Sequence, residues 1–209
     1  VLRELVAQGH EVVALVRPGR RLSFTLSDQK PNDAPDELSD AVTVVEAEIT
    51  SDEDWTALLP HADVVISCLA SRSGAPADAR LVEYEANRRL LAYAERAAVQ
   101  HFLLLSAICV QIPRLAFQRE KLKFEALLAE SSVPATIIRA TAFFRSLVGQ
   151  VERVRVGKPF LLFSSGNLTA CKPISDRDLA RFMVSKLASP PVSTSVLPIG
   201  GPGPALTPQ

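Results

Sequence analysis

The chain has 209 residues, enough for one α/β domain with a sizeable core. Lys plus Arg and Asp plus Glu stand at 23 each, which excludes a global attraction to nucleic acid or to an anionic membrane. Cys68, Cys109 and Cys171 form no Cys-x-x-Cys pair, and no apolar run nears the ~20 residues that span a bilayer, so a disulfide framework and a transmembrane helix are excluded.

Val1, Leu2, Leu5 and Val6 recur at helical spacing, and Gly9 ends that helix. EVVALVR follows as a short valine-rich run suited to a buried parallel strand. Residues 19–40 are polar and proline-containing, a loop. AVTVVEAEI reads as a second strand and SDEDWTALL as a helix capped by Ser51 or an aspartate. DVVISCLAS is a third strand, SRSGAPADA a loop and RLVEYEANRRLLAYAERAA a long helix, in which Tyr84 and Tyr93 are packing residues. HFLLLSAI, LAFQREKLKFEALLAE and ATIIRATAFF continue as strand, helix and strand. GKPFLLF is either a strand or an apolar binding segment, and SDRDLARFMVSKL is a helix capped by Ser175 or Asp176.

This alternation predicts a Rossmann-like, doubly wound α/β fold, with a parallel sheet and helices on both faces. One domain is expected, with residues 1–148 as nucleotide-binding core and 149–209 as a smaller substrate-side lobe. The chain opens in a helix without a preceding strand and closes on turn-rich GGPGPALTPQ, so it reads as cut at both ends. The first strand and glycine-rich turn of a dinucleotide fold are expected just before Val1.

Ligands of such sheets bind beyond the C-terminal strand ends. Arg17 ends EVVALVR, ahead of Arg20 and Arg21, and an arginine there suits the 2′-phosphate of NADP(H); a solvated basic turn is the alternative. Glu48 sits where an acid could meet an adenine edge, or is an exposed acid at a strand end. Leu69, Ala70 and Ser71 close the third strand, either on the cofactor's ribose side or as a plain strand terminus. Ser106 ends HFLLLS, where a hydroxyl positions a substrate or nicotinamide amide, or caps the next segment. Phe117 and Lys121 lie four residues apart and share one helix face. Short-chain dehydrogenases place a Ser, a Tyr-x-x-x-Lys helix and a strand in this order. Here a phenyl ring that cannot donate a proton replaces the tyrosine, while the lysine is kept to hold ribose hydroxyls. Thr141 and Phe143, past the next strand, complete the cofactor side, and Phe117, Phe144 and Phe160 offer an apolar surface to a large flat ligand, Phe163 being a further candidate. His10, His61 and His101 have no metal-ligand spacing, so no metal is expected.

HFLLLSAICVQIPRLAFQREKLKFEALL carries a specific resemblance. With SCLASRSG, RATAFF, GKPFLLF, CKPISDRDLA and LPIGGPGPALTPQ in order, the chain resembles the NADPH-dependent 3,8-divinyl chlorophyllide 8-vinyl reductases, of the atypical, NmrA-like short-chain dehydrogenase group. Ala140 departs from the Pro that related dehydrogenases often carry after the strand arginine. The resemblance implies reduction of the C8 vinyl of divinyl chlorophyllide or protochlorophyllide to ethyl, with NADPH as cofactor, Lys121 and Ser106 in the catalytic machinery, and a chloroplast or a photosynthetic bacterial cytoplasm as setting. Hydride addition to a vinyl conjugated with a macrocycle forms no alkoxide, so no tyrosine acid is required at position 117. Partners are then limited to the tetrapyrrole, with any membrane contact peripheral. Two other readings stand beside it: a different NADP-linked reductase or epimerase, and a regulator that senses NADP without turnover.

Overall fold

The computed structural model describes residues 1–19, 41–51, 55–161 and 170–207. Arg20, Arg21, Phe163 and the aspartates offered as caps of the SDEDWTALL helix lie outside these residues; Ser51, the other candidate cap, donates its hydroxyl to the Glu48 carbonyl.

The first helix, α1 (Leu2–Ala7), ends at Gly9, whose φ of +79° a side chain would oppose. β1 (Val12–Val16) and β2 (Val42–Glu46) follow, valine-rich and paired in parallel from Val12 opposite Val42 to Val16 opposite Glu46. Next come α2 (Trp55–Leu58) and β3 (Val64–Ser67). A long helix then runs from α3 (Pro76–Ala79) through a π-helical segment (Arg80–Ala86) into α4 (Asn87–Arg96). Its first turn falls inside SRSGAPADA, expected as loop: Pro76 sits at the start of the helix, where a missing N–H costs nothing. β4 (His101–Ala107), α5 (Ala116–Glu130) and β5 (Ala135–Ala140) follow, then a 3₁₀ turn (Phe144–Leu147), α6 (Val148–Arg155), α7 (Asp176–Ser185) and β6 (Ser195–Ile199). Ser175 caps α7, its hydroxyl accepting from the Asp178 amide.

β3, β4, β5 and β6 form a four-stranded parallel sheet in chain order, and β1–β2 form a separate two-stranded sheet. Pro198 is accommodated in β6 because that strand is at the sheet edge. Residues 174–199, expected in a substrate-side lobe, thus supply a strand and a helix to the main sheet.

Alternation along the strands sends neighbouring side chains to opposite faces. Val65, Phe102, Leu104 and Ile137 meet Leu91 and Ala94 of α4 and Phe124 and Leu128 of α5. Leu103 and Ile138 meet Leu179 and Met183 of α7 on the other face. Val184 of α7 and Leu5 of α1 also close over Val12, Ala14 and Val42, so packing unites the two sheets where hydrogen bonds do not. Helices therefore cover both faces, as a doubly wound fold requires. Tyr93 is buried as expected and donates its hydroxyl to the Pro60 carbonyl.

Candidate functional site

The site is built where the parallel strands end. Their even-numbered residues on β4 and odd-numbered ones on β3 and β5 face α4 and α5, and the last of each is polar: Ser67, Ser106 and Arg139. Beneath them the stripes of two helices, apolar elsewhere, turn polar too: Glu83 and Asn87 on the long helix, Lys121 and Glu125 on α5. Ser67, Glu83, Asn87, Ser106, Lys121 and Glu125 are all buried, and burial of such groups is tolerated only when each finds partners.

Lys121 directs Nζ to the Glu83 carboxylate at 2.7 Å and donates to the backbone carbonyls of Leu69 at 3.2 Å and Leu105 at 3.4 Å. Glu83 accepts at its other oxygen from the Ser71 amide and hydroxyl, both at 2.9 Å. Removing one member of so buried a pair costs about 3–5 kcal/mol, because the survivor is left unpaired. Asn87 gives its side-chain N–H groups to the carbonyls of Val82 and Glu83 and accepts from Ser67 at Oδ1. Those carbonyls belong to the π-helical segment, where the regular i→i+4 pattern is interrupted.

The second network is parallel to the first. Ser106 donates to Glu125, whose carboxylate is gripped by Arg139 through Nε and Nη2. Ser106 and Arg139 are register partners on β4 and β5, which is how one helical acid reaches both. The Ser106 hydroxyl is therefore committed to the protein. Gln118, one helical turn before Glu125's neighbour Lys121, ties down the loop ahead of α5: it accepts from the amides of Arg114 and Leu115 and donates to Cys109 Sγ.

On the exposed side, Arg17, Glu48 and the loop after β3 converge. Hydrogen bonds from the Thr50 hydroxyl and amide hold the Glu48 carboxyl below the usual carboxylate range, and the Arg17 guanidinium adds to this. Asp78, accepting from Ser73 and Arg72, is likewise lowered first by the Ser73 hydroxyl and amide, with a smaller contribution from Arg17. Arg17 and Glu48, singled out separately in the sequence, are thus electrostatic neighbours. Thr141 donates its hydroxyl to the Lys172 carbonyl. Phe143 bridges to Ile174 and packs against the Leu103–Ile138 core. Phe117 is half-buried on the first turn of α5, and Phe144 and Phe160 are exposed. An open concavity of about 520 Å³ lies beside the start of α5, lined by Cys109, Gln111, Ile112, Arg114, Leu115 and Gln118.

Glu83, Asn87, Glu125 and Arg139 were not singled out in the sequence. The signal for three of them was present: Ala79, Val82, Ala86, Leu91 and Ala94 define the buried stripe of the long helix, and Glu83 and Asn87 fall on it. Glu125 falls on the Phe124–Leu128 stripe of α5 in the same way.

Residues 1–190 match the family described as NAD(P)H-binding. The chain belongs to that family. Its members bind a nicotinamide dinucleotide, and the exposed Arg17 guanidinium, the free strand ends and a buried lysine at the same edge fit such a group. The chain is 44% identical, over its whole length, to proteins of Cucumis sativus and Oryza sativa subsp. indica, both named divinyl chlorophyllide a 8-vinyl-reductase, chloroplastic. It spans about half of each relative, 51% and 52%. A photosystem II assembly factor, Ycf39 of Synechocystis, is 24% identical over 96% of this chain and is itself covered to 58%. Among solved structures, the UDP-glucuronic acid 4-epimerase of Bacillus cereus in complex with NAD superposes on 99% of this chain and 74% of its own, with a TM-score of 0.77 and 16% identity. That likeness shows the fold: a Rossmann-like sheet of the kind found in nucleotide-dependent epimerases.

Proposed function

We propose that this chain supplies the cofactor-binding part of an NADPH-dependent reductase that converts the C8 vinyl group of divinyl chlorophyllide or protochlorophyllide to ethyl, in the chloroplast. The observation that carries this reading is the 44% identity over the whole chain to reductases of that name. Phe117 agrees with it: a helix that keeps the lysine but replaces the tyrosine suits a reduction in which no alkoxide needs a proton.

In this reading Arg17 pairs with the 2′-phosphate, and Glu48 lies at the adenosine edge. Leu69, Ala70 and Ser71 follow the ribose, with Thr141 and Phe143 on the nicotinamide side. When bound, NADPH supplies the hydride. Lys121 orients the nicotinamide ribose through its ammonium, and Ser106 acts from behind, steadying Glu125 and Arg139. Phe117, Phe144 and Phe160 present apolar surface to the pigment and keep water from its face. Among the described residues no helix is long and apolar enough to cross a membrane.

The test is direct. Full-length protein, NADPH and divinyl chlorophyllide are mixed, and the pigment's Soret band is followed as the vinyl leaves conjugation. A blue shift matched by NADPH consumption is expected. NADPH binding without any pigment change would overturn the reductase reading and favour a nucleotide-binding assembly or sensing protein.

A further inference from the structure

We propose that Glu83 is the positioning residue for Lys121: its carboxylate fixes where the ammonium sits, and the Leu69 and Leu105 carbonyls occupy the other donors until a bound nucleotide takes them. This rests on the reading that Lys121 meets the cofactor.

An ammonium has three N–H donors. Nζ meets one carboxylate and two carbonyls here, and these partners are unequal. The contact to Glu83 is short and ionic at 2.7 Å. The contacts to Leu69 and Leu105 are long, at 3.2 and 3.4 Å, and their acceptors are neutral carbonyls. An ammonium is held more tightly by a full negative charge than by a carbonyl dipole, the more so in a buried site. A ribose hydroxyl can therefore displace a carbonyl from Nζ, whereas nothing neutral displaces Glu83.

Glu83 is itself held from several sides. Ser71 fills one carboxylate oxygen with both its amide and its hydroxyl, which leaves the other oxygen for Lys121. The π-helical segment that carries Glu83 is pinned through Asn87 to Ser67 at the end of β3. π-Helical turns concentrate at functional sites because they aim a side chain that a regular helix would aim elsewhere. The same short stretch, residues 69–71, gives a carbonyl to Lys121 and two donors to Glu83. The strand end proposed to follow the ribose and the lysine proposed to hold it are thus linked through one carboxylate.

The experiment measures NADPH affinity in the full-length protein by the change in nicotinamide fluorescence, with no pigment present. Glu83→Gln, Lys121→Gln and the double variant are compared, each with its melting temperature. Glu83→Gln is expected to raise the NADPH Kd about tenfold, and Lys121→Gln by at least as much. The double variant should bind no worse than Lys121→Gln alone, because Glu83 acts only through the lysine. Wild-type affinity in a folded Glu83→Gln protein, or losses that multiply in the double variant, would overturn the proposal. If Glu83→Gln does not fold, Ser71→Ala takes its place: it leaves both charges but removes one anchor of the carboxylate. A severalfold rise in Kd is then expected, and an unchanged Kd overturns the proposal. The outcomes separate from those of the parent reading. A Lys121→Gln protein with unchanged Kd removes Lys121 from the cofactor site, whereas failure of vinyl reduction leaves the affinity pattern standing.

Discussion

Arg17 is exposed, and two carboxylates that feel its charge, Glu48 and Asp78, accept hydrogen bonds from Thr50 and Ser73. An exposed guanidinium at a strand end suits a phosphate. Such a charge-assisted contact contributes about 1.5–3 kcal/mol. Arg17→Ala should raise the NADPH Michaelis constant about tenfold or more and leave NADH use nearly unchanged, which steady-state kinetics with both cofactors will show. Equal losses with both would remove Arg17 from this role. Phe117→Tyr adds one hydroxyl beside the apolar surface proposed for the pigment. Vinyl reduction should persist, lowered at most severalfold, with no alcohol dehydrogenase activity gained. A large increase in vinyl reduction would mean that proton donation at this position limits the enzyme. Lys121 and Phe117 were legible in the sequence because their four-residue spacing after a strand ending in serine is a local pattern. Glu83 was legible only as a position on a buried stripe, since its partner Lys121 is distant in sequence, and Arg139 was not legible at all: an arginine at a strand end reads as solvent-facing until the Glu125 opposite it is known. Ser106 was found, but its partner decides its role, and Glu125 comes 19 residues later.

The elements themselves were mostly legible, and their ends less so. β5 stops at Ala140, short of the ATIIRATAFF run, because the two phenylalanines turn away: Phe143 bridges to Ile174 and Phe144 starts a 3₁₀ turn. Two ends carry strain or crowding that can be tested. Ala98, just past α4, has φ +52°, a left-handed conformation that opposes its Cβ by about 1–2 kcal/mol. Ala98→Gly should raise the melting temperature by about 2–4 °C in a calorimetric scan, after the added freedom of the unfolded chain is subtracted. No rise would mean that Ala98 is unstrained. At Gly201 the restriction is contact. A Cβ there would lie 2.1 Å from the Pro173 carbonyl oxygen, and the Gly201 amide donates to Lys172 at 2.9 Å. Gly201→Ala must part these backbones and should destabilise by about 1–3 kcal/mol in denaturant titration. Gly203→Ala, with open space around its Cβ, is the control and should be nearly neutral.

For the whole molecule, strand–helix alternation was enough to predict the parallel sheet and its two helical layers. The division at residue 148 followed from a loosening of that alternation. The chain returns to the same sheet because α7 carries Leu179 and Met183 to Leu103 and Ile138, a pairing no local pattern encodes. The centre of that sheet also contains a titratable group. His101 is buried on β4, with Nε2 against the Thr136 hydroxyl at 2.9 Å and Nδ1 without a partner among the described residues. Burial lowers its pKa in the fold, so the neutral ring is the folded form. As pH falls below the ordinary histidine value of about 6.5, the unfolded chain takes up the proton first, and stability is lost. Above that value the contribution is fully present. The melting temperature of the native protein should therefore fall more between about pH 7.5 and pH 5.5 than that of His101→Gln, which keeps a hydrogen-bonding group for Thr136. Equal falls would place the acid sensitivity elsewhere.

The π-helical segment at Arg80–Ala86 has a consequence for how this chain tolerates changes in length. A π turn accommodates one residue more than an α turn, and one residue corresponds to about 100° of rotation around a helix axis. Loss of a single codon among Arg80–Val82, within the π-helical segment, would let the helix regularise, and the acid would swing out of reach of Lys121 although every residue named at the site remained. Sequence identity at those positions is therefore an incomplete test of kinship in mechanism; the count of residues separating Ser71 from Asn87 belongs to the signature as well.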